Sequence, residues 1–148
     1  MQIPSPIRKT IDEFHDEWRH PRLAPLAISE LYSLFPEESQ STPTTLNWPD
    51  NWPHAHQPGV YLIFGLGMQL LYVGKSRFLG QRLSNYFRWS AGPGSPCRIV
   101  HPGWNTHPMF IATIAVAESF EAAALEEFLI ARLHPEENFL LTAPPESK

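Results

Sequence analysis

The most regular hydrophobic pattern of the chain lies in its middle, in the stretch GVYLIFGLGMQLLYVGKS at residues 59–76. Two apolar runs at 60–64 and 70–74 flank a glycine-containing turn at 65–69, which is typical of a β-hairpin. A third run, MFIATIAVA at 109–117, has the composition of a buried strand. The pattern therefore predicts three strands.

Two further segments have the spacing of amphipathic helices. We expect Ser76 to cap a helix that ends near residue 88, and Ser119 to cap a second one that stops at Pro135. The first helix has apolar residues every four positions, at Leu79, Leu83 and Phe87. The order strand, strand, helix, strand, helix predicts an α/β protein of the α+β type. Its sheet is expected to be small, mainly antiparallel and three-stranded, with flanking helices.

The remaining chain divides by composition into an N-terminal extension of helices and loops at 1–56, a compact domain at 57–142 and a short tail at 143–148. Within the extension, TIDEFHDEWRH at 10–20 and PLAISELYSLF at 25–35 each predict a short helix. The stretch at 90–108 predicts a long loop. The sequence leaves open whether the extension packs on the core or binds a partner, either another protein or a second copy of the chain.

The charge distribution adds a functional indication. Although the net charge is -4, residues 54–117 contain no aspartate or glutamate. The same stretch contains five cations: Lys75, Arg77, Arg82, Arg88 and Arg98. A surface without acids suits a polyanion such as a nucleic acid.

Composition also sets the expected compartment. A single cysteine excludes an intrachain disulfide, and no apolar run approaches the roughly 20 residues that a membrane span requires. The N-terminus has no continuous apolar stretch of the signal-peptide type. We therefore expect a cytoplasmic protein with no membrane association.

Two common chemistries fit the sequence poorly. Gly74-Lys75-Ser76 ends like a nucleotide-binding phosphate loop, but Gln69 stands where such a loop needs its first glycine. A zinc site has only a weak basis in Cys97, His101 and His107, because a single cysteine without a partner is a poor indication of metal binding.

Glu126 is the most informative single residue. Its neighbours on the helical wheel are all apolar, namely Ala122, Ala123, Leu129, Ile130 and Leu133, whereas Glu127 has the surroundings of a solvated residue. A carboxylate on a core-facing stripe is costly unless it is paired or binds a cation. The periodicity leaves open a salt bridge to Arg82 or Lys75 and a metal ligand.

Taken together, five elements resemble the GIY-YIG nuclease family over residues 58–141. They are GVY at 59–61, YVG at 72–74, the following Lys75, Arg82, and Glu126 within ALEEFLIARLHPEEN. Valine replaces isoleucine in both tripeptides and preserves a β-branched strand residue. Tyr86 matches a position that is often Tyr or His in the family.

The resemblance implies a metal-dependent endonuclease that hydrolyses phosphodiester bonds in DNA, with RNA as substrate not excluded. Glu126 would be the only protein ligand of one Mg²⁺ or Mn²⁺ ion, and Arg82 would hold the phosphate oxygens. Tyr61 is the favoured general base, with Tyr72 as the alternative, and Lys75 is expected to lower the pKa of a phenol.

Four further residues complete the expected site. Tyr86 would bind phosphate or position the water, Arg77 and Arg88 would bind substrate, and Asn138 would bind substrate or support the helix end or the hairpin. A catalytically silent nucleic-acid-binding module with the same fold is the alternative function. The resemblance does not decide between repair, restriction and other roles.

Overall fold

The computed structural model describes residues 1–36, 51–93, 95–100 and 103–142. In chain order the elements are α1 (Ser5–Trp18), β1 (Ala27–Ile28), β2 (Tyr32–Ser33), β3 (Gly59–Phe64), β4 (Leu70–Ser76), α2 (Leu79–Tyr86), β5 (Phe87–Trp89), β6 (Cys97–Ile99), β7 (Phe110–Ala115), α3 (Ser119–Leu133) and α4 (Glu136–Thr142).

The main sheet is antiparallel, with β3 in its centre between β4 and β7. All six residues of β3 and all six of β7 are buried, because both faces of this part of the sheet are covered. At Gly59 the strands approach so closely that an added Cβ would lie 2.0 Å from the carbonyl oxygen of Ile114. The predicted α+β fold with an antiparallel sheet flanked by helices is confirmed.

The second predicted helix of the extension, at 25–35, is wrong. Ala27–Ile28 and Tyr32–Ser33 instead pair with the outer edge of β7 and extend the sheet from three strands to five. Between them, Ser29 exchanges hydrogen bonds with the backbone of Thr113. The backbone N–H and C=O groups at this edge of β7 require hydrogen-bond partners. Pairing with them stabilises the extended conformation of this segment more than its local sequence favours a helix.

The predicted long loop at 90–108 is also partly wrong, because the chain forms a hairpin of β5 and β6 there. The helix before it therefore ends at Tyr86 rather than near residue 88. Neither serine is a cap: Phe78 and Glu118 occupy the N-cap positions, with no side-chain capping bond. Helix α3 ends as predicted before Pro135, and α4 follows it.

The described part of the N-terminal extension packs on the domain. The predicted helix at 10–20 lies largely within α1, which buries Ile7, Ile11 and Phe14. Phe14 contacts Phe128 of α3 at 5.3 Å between ring centroids, and nearby Arg19 forms an ion pair with Glu121. A partner or a second copy binding through the extension stays a prediction. None of the described helices has the length and apolar character needed to cross a membrane.

Candidate active site

Three tyrosines, two from the β3–β4 hairpin and one from α2, meet in one cluster. Tyr61 lies opposite Gly74 in the strand register, and its ring passes directly over that glycine. The ring centroids of Tyr72 and Tyr86 each lie 5.9 Å from that of Tyr61, and the hydroxyls of Tyr61 and Tyr86 are 3.2 Å apart. The glycine of the second motif is thus required because a side chain there would occupy the place of the tyrosine of the first.

The tyrosines differ in their access to solvent. Tyr61 is only 1% exposed, whereas Tyr72 and Tyr86 are half-buried. Burial, followed by the hydrogen bond to Tyr86, holds the pKa of Tyr61 far above its usual range. Burial also raises the pKa of Tyr72, with Tyr86 and Glu126 adding to the effect. Arg82 opposes the rise in pKa at both tyrosines.

Trp104 packs against two members of the tyrosine cluster. Its ring is perpendicular to that of Tyr72 at 5.6 Å and lies 6.1 Å from that of Tyr86. The segment is fixed by Glu137 of α4, whose Oε1 accepts hydrogen bonds from the backbone N–H groups of Asn105 (2.9 Å) and Thr106 (3.0 Å). Glu137 is 1% exposed, so this carboxylate serves as a buried anchor for the loop that carries Trp104.

Glu126 lies half-buried on α3 and Glu127 is exposed, as the helical periodicity predicted. Burial raises the pKa of Glu126, while the Lys75 ammonium, the Lys75 backbone N–H and Arg82 oppose the increase. Within the described residues, no basic nitrogen lies within 4.0 Å of the Glu126 carboxylate. The salt bridge that the sequence left open is therefore not formed there. Lys75 opposes the rise in the pKa of this carboxylate, whereas Arg82 opposes the rise in the pKa of Tyr61 and Tyr72.

A cleft of about 660 Å³ opens between α2 and α3. Its charged lining residues are Lys75, Arg77 and Arg82, and none of its lining residues is acidic. The α3 side of the lining includes Ala122 and Ala123, which precede Glu126 by one helical turn. The cleft therefore combines a cationic wall with access to the face of α3 that carries the carboxylate.

The side chain of Asn138 forms two hydrogen bonds with the backbone of β4. Its side-chain Oδ1 accepts a hydrogen bond from the N–H of Val73, and its Nδ2 donates to the Val73 carbonyl, both at 2.8 Å. The residue is 5% exposed and ties α4 to β4 beside the tyrosine of the second motif. This geometry favours the supporting role over direct substrate binding.

The other two residues predicted to bind substrate, Arg77 and Arg88, lie in different parts of the fold. Arg77 is exposed and lines the cleft. Arg88 is exposed on β5, where it stands directly opposite Arg98 of β6. Phe87, Trp89, Cys97 and Ile99 alternate with the two arginines and are less exposed, so the arginines share the solvent face of the hairpin.

The zinc and phosphate-loop hypotheses gain nothing from the fold. Gly74, Lys75 and Ser76 lie within β4 rather than in a loop before a helix. His107 packs against Phe35 with ring centroids 4.7 Å apart. In the parts of the chain that the structure describes, no three His, Cys, Asp or Glu side chains cluster as metal ligands, and His101 lies outside those parts.

Comparison with known proteins identifies the family of the central part of the chain. The family model described as the UvrC-like GIY-YIG domain matches residues 57–139, which contain both tyrosine motifs, Arg82, Glu126 and Asn138. The chain belongs to the UvrC-like GIY-YIG family. The resemblance to GIY-YIG nuclease domains is thereby confirmed.

Curated relatives of this GIY-YIG domain share its sequence over a similar range. UvrABC system protein C of Histophilus somni is 38% identical over 86 residues, which are 58% of this chain and 13% of that protein. The protein of the same name from Bartonella henselae is 40% identical over 86 residues, or 58% of this chain and 12% of the relative. That of Cereibacter sphaeroides is 40% identical over 84 residues, or 57% and 13%. The chain thus spans about an eighth of the length of these relatives.

Two features of the site are not apparent in the sequence. Glu137 stands in a short helix with little periodicity, and its contact with the loop at 105–106 depends on the tertiary fold. Trp104 lies in the stretch that the sequence predicts as a long loop, and the structure shows its ring packed against those of Tyr72 and Tyr86. The proline and glycine residues around Trp104 predict a loop, but they do not indicate this contact with the tyrosines.

Proposed function

We propose that this GIY-YIG domain is an endonuclease that hydrolyses phosphodiester bonds in DNA with the help of one divalent metal ion. The observation that supports this most is that a carboxylate, two cations and two phenols lie close enough to act on one another electrostatically. Glu126 is near Lys75 and Arg82, and Arg82 acts on Tyr61 and Tyr72. A polyanionic substrate suits the acid-free lining of the cleft.

The donor set fits a hard, strongly hydrated cation. Glu126 is a half-buried carboxylate with no ion-pair partner within 4.0 Å in the described structure, so it is available as a ligand. One protein carboxylate plus water and phosphate oxygens is a shell that Mg²⁺ or Mn²⁺ accepts. When bound, such an ion would stabilise negative charge on the phosphate and on the leaving oxygen.

For the general base we propose Tyr72 rather than Tyr61. The Tyr61 side chain is almost completely buried, and its hydroxyl is engaged with that of Tyr86. A base must lie within hydrogen-bond reach of the water whose proton it takes, and of the two hairpin tyrosines Tyr72 is the one that is only half-buried. In this assignment Tyr61 positions Tyr86 and fills the space above Gly74.

The cations bind the substrate in this proposal. Arg82 holds the non-bridging oxygens of the reacting phosphate, because its planar guanidinium matches phosphate geometry. Lys75 and Arg77 line the same cleft and bind adjacent phosphates. Arg88 contacts the backbone farther away, and Asn138 acts in support by fixing β4 at Val73.

A role in DNA repair is proposed only on the likeness to proteins named UvrABC system protein C. The matched part is a small fraction of those proteins, so this proposal concerns the cleavage domain alone.

A substrate panel tests the enzyme proposal. Wild-type protein is incubated with Mg²⁺ or Mn²⁺ and with supercoiled, single-stranded or branched DNA, and EDTA is the negative control. We expect cleavage that Glu126→Gln reduces by roughly 100-fold or more, since several kcal/mol of charge stabilisation is lost. Glu127→Gln, which alters the exposed neighbour, is the matched control and should cleave like wild type.

The outcomes separate the two candidate functions. Metal-dependent cleavage that disappears in Glu126→Gln supports the enzyme. Binding of DNA without cleavage of any substrate would instead support the silent binding module.

A further inference from the structure

Two exposed phenylalanines line the cleft. Phe78 is 54% exposed and Phe120 is 77% exposed, and both belong to the same lining as Lys75, Arg77 and Arg82. Such exposed rings contribute little to folding, because most of their surface stays in water. Single exposed apolar residues are common. Two exposed rings that line the same cationic cleft are less so, and such a surface is typical of a binding site.

The backbone holds both rings in place. The Ser76 hydroxyl bonds to the N–H and the carbonyl of Phe78, at 3.1 and 2.9 Å, so Phe78 is fixed between β4 and α2. Phe120 lies in the first turn of α3, next to Glu121, which is paired with Arg19. Each ring therefore projects from an ordered segment, so ligand binding does not require the loss of conformational entropy that ordering a loop would cause.

The surroundings of the rings determine which ligand fits. Three cations and no acid line the cleft together with the two phenylalanines. Such a combination is complementary to a nucleic acid strand, whose phosphates pair with the cations and whose bases stack on the rings. An apolar peptide would leave the cations uncompensated. In a duplex the faces of the bases are already stacked on one another, so only unpaired bases can stack on Phe78 or Phe120.

We propose that Phe78 and Phe120 stack on unpaired nucleobases, and that this cleft selects nucleic acid that is single-stranded or locally melted next to the scissile phosphate. The inference rests on the proposed nuclease function and specifies its substrate class. Lys75, Arg77 and Arg82 bind the backbone in any nucleic acid, while the two rings discriminate between paired and unpaired bases.

The test measures binding in EDTA, so that its result does not depend on catalysis. Labelled 20-nucleotide single strands of DNA and RNA, a matched duplex and a duplex with a central unpaired bubble are titrated by fluorescence anisotropy. We expect wild type to bind the single strands and the bubble at least about tenfold more tightly than the matched duplex.

Variants then assign this preference to the rings. Phe120→Ala and Phe78→Ala should each weaken binding of single strands and bubble by about tenfold and that of the duplex by less than about twofold. Phe120→Trp should retain the preference, because an indole also stacks. Phe139→Ala is the control, since Phe139 is 47% exposed and lies outside the lining of the cleft.

Other results would overturn the proposal in distinguishable ways. If the Phe variants bind all nucleic acids like wild type while Arg77→Gln weakens all of them, the stacking proposal fails and the nuclease proposal stands. If wild type binds no nucleic acid, both fail. In that case, loss of self-association in Phe120→Ala, measured by sedimentation, would identify the rings as a protein-docking surface instead.

Discussion

Tyr61 and Gly74 form a cross-strand pair in which the phenol ring occupies the space that a side chain at position 74 would need. A Cβ built on Gly74 would lie 2.2 Å from Cζ and 2.3 Å from the hydroxyl oxygen of Tyr61. The two tripeptide motifs of the chain thus depend on each other through a direct steric relationship.

Gly74→Ala should therefore displace Tyr61 and disturb its contact with Tyr86. We expect a loss of about 1–3 kcal/mol in the free energy of unfolding, measured by urea denaturation, together with lower nuclease activity. Gly67→Ala is a suitable control, because a Cβ there would meet only the end of the Gln69 side chain at 3.2 Å. A Gly74→Ala protein with the stability and activity of wild type would contradict the packing described.

The assignment of the base can be tested by comparing two conservative changes. Tyr72→Phe should reduce cleavage by roughly 100-fold or more, because a general base contributes that much to a proton transfer. Tyr61→Phe keeps the ring over Gly74 and loses one hydroxyl contact, so we expect a reduction of about tenfold or less. The reverse order of effects would move the assignment to Tyr61.

The pH profile gives an independent measurement of the same assignment. Burial raises the pKa of Tyr72 from its ordinary value, which is itself well above neutral, so the phenol is protonated near neutral pH. The fraction of phenolate then increases about tenfold per pH unit below the pKa, so the cleavage rate should rise with pH in single-turnover measurements. In Tyr72→Phe this dependence should be lost.

Glu137 is predicted to control the site without contacting substrate. Glu137→Gln replaces the carboxyl oxygen that accepts two backbone hydrogen bonds by an amide, which can present its NH₂ group there instead, and we expect a loss of about 1–2 kcal/mol in stability. Looser packing of Trp104 on Tyr72 should change the tryptophan fluorescence and lower the cleavage rate. Glu136→Gln, at an exposed position of the same helix, should leave both unchanged.

The hairpin and the main site residues could be predicted from the sequence because their positions carry strong local constraints. Two continuous apolar runs around a glycine-containing turn mark β3 and β4, and apolar neighbours on the helical wheel mark Glu126. Strands of two or three residues, such as Ala27–Ile28 and Cys97–Ile99, are too short for a periodic signal, and their pairing depends on distant partners. The anchoring role of Glu137 was hidden for the same reason, since Asn105 lies 32 residues away in sequence.

Arg88 and Arg98 provide the last prediction. They face each other across β5 and β6 on the solvent side, and like charges at directly opposed positions destabilise a hairpin unless an anion lies between or above them. A phosphate backbone that continues from the cleft would supply that anion. Arg88→Gln and Arg98→Gln should each reduce the slope of log affinity against log salt by about 1, in titrations of DNA without metal.

The same arginine variants should have the opposite effect on folding. Removing one of two opposed cations relieves repulsion, so the free energy of unfolding in low salt should rise by a few tenths of a kcal/mol. Lys9→Gln, an exposed change on α1, is the control for net charge and should leave the salt slope unchanged. If Lys9→Gln reduced the slope as much as Arg88→Gln does, the contribution would be nonspecific and the hairpin would not be a backbone contact.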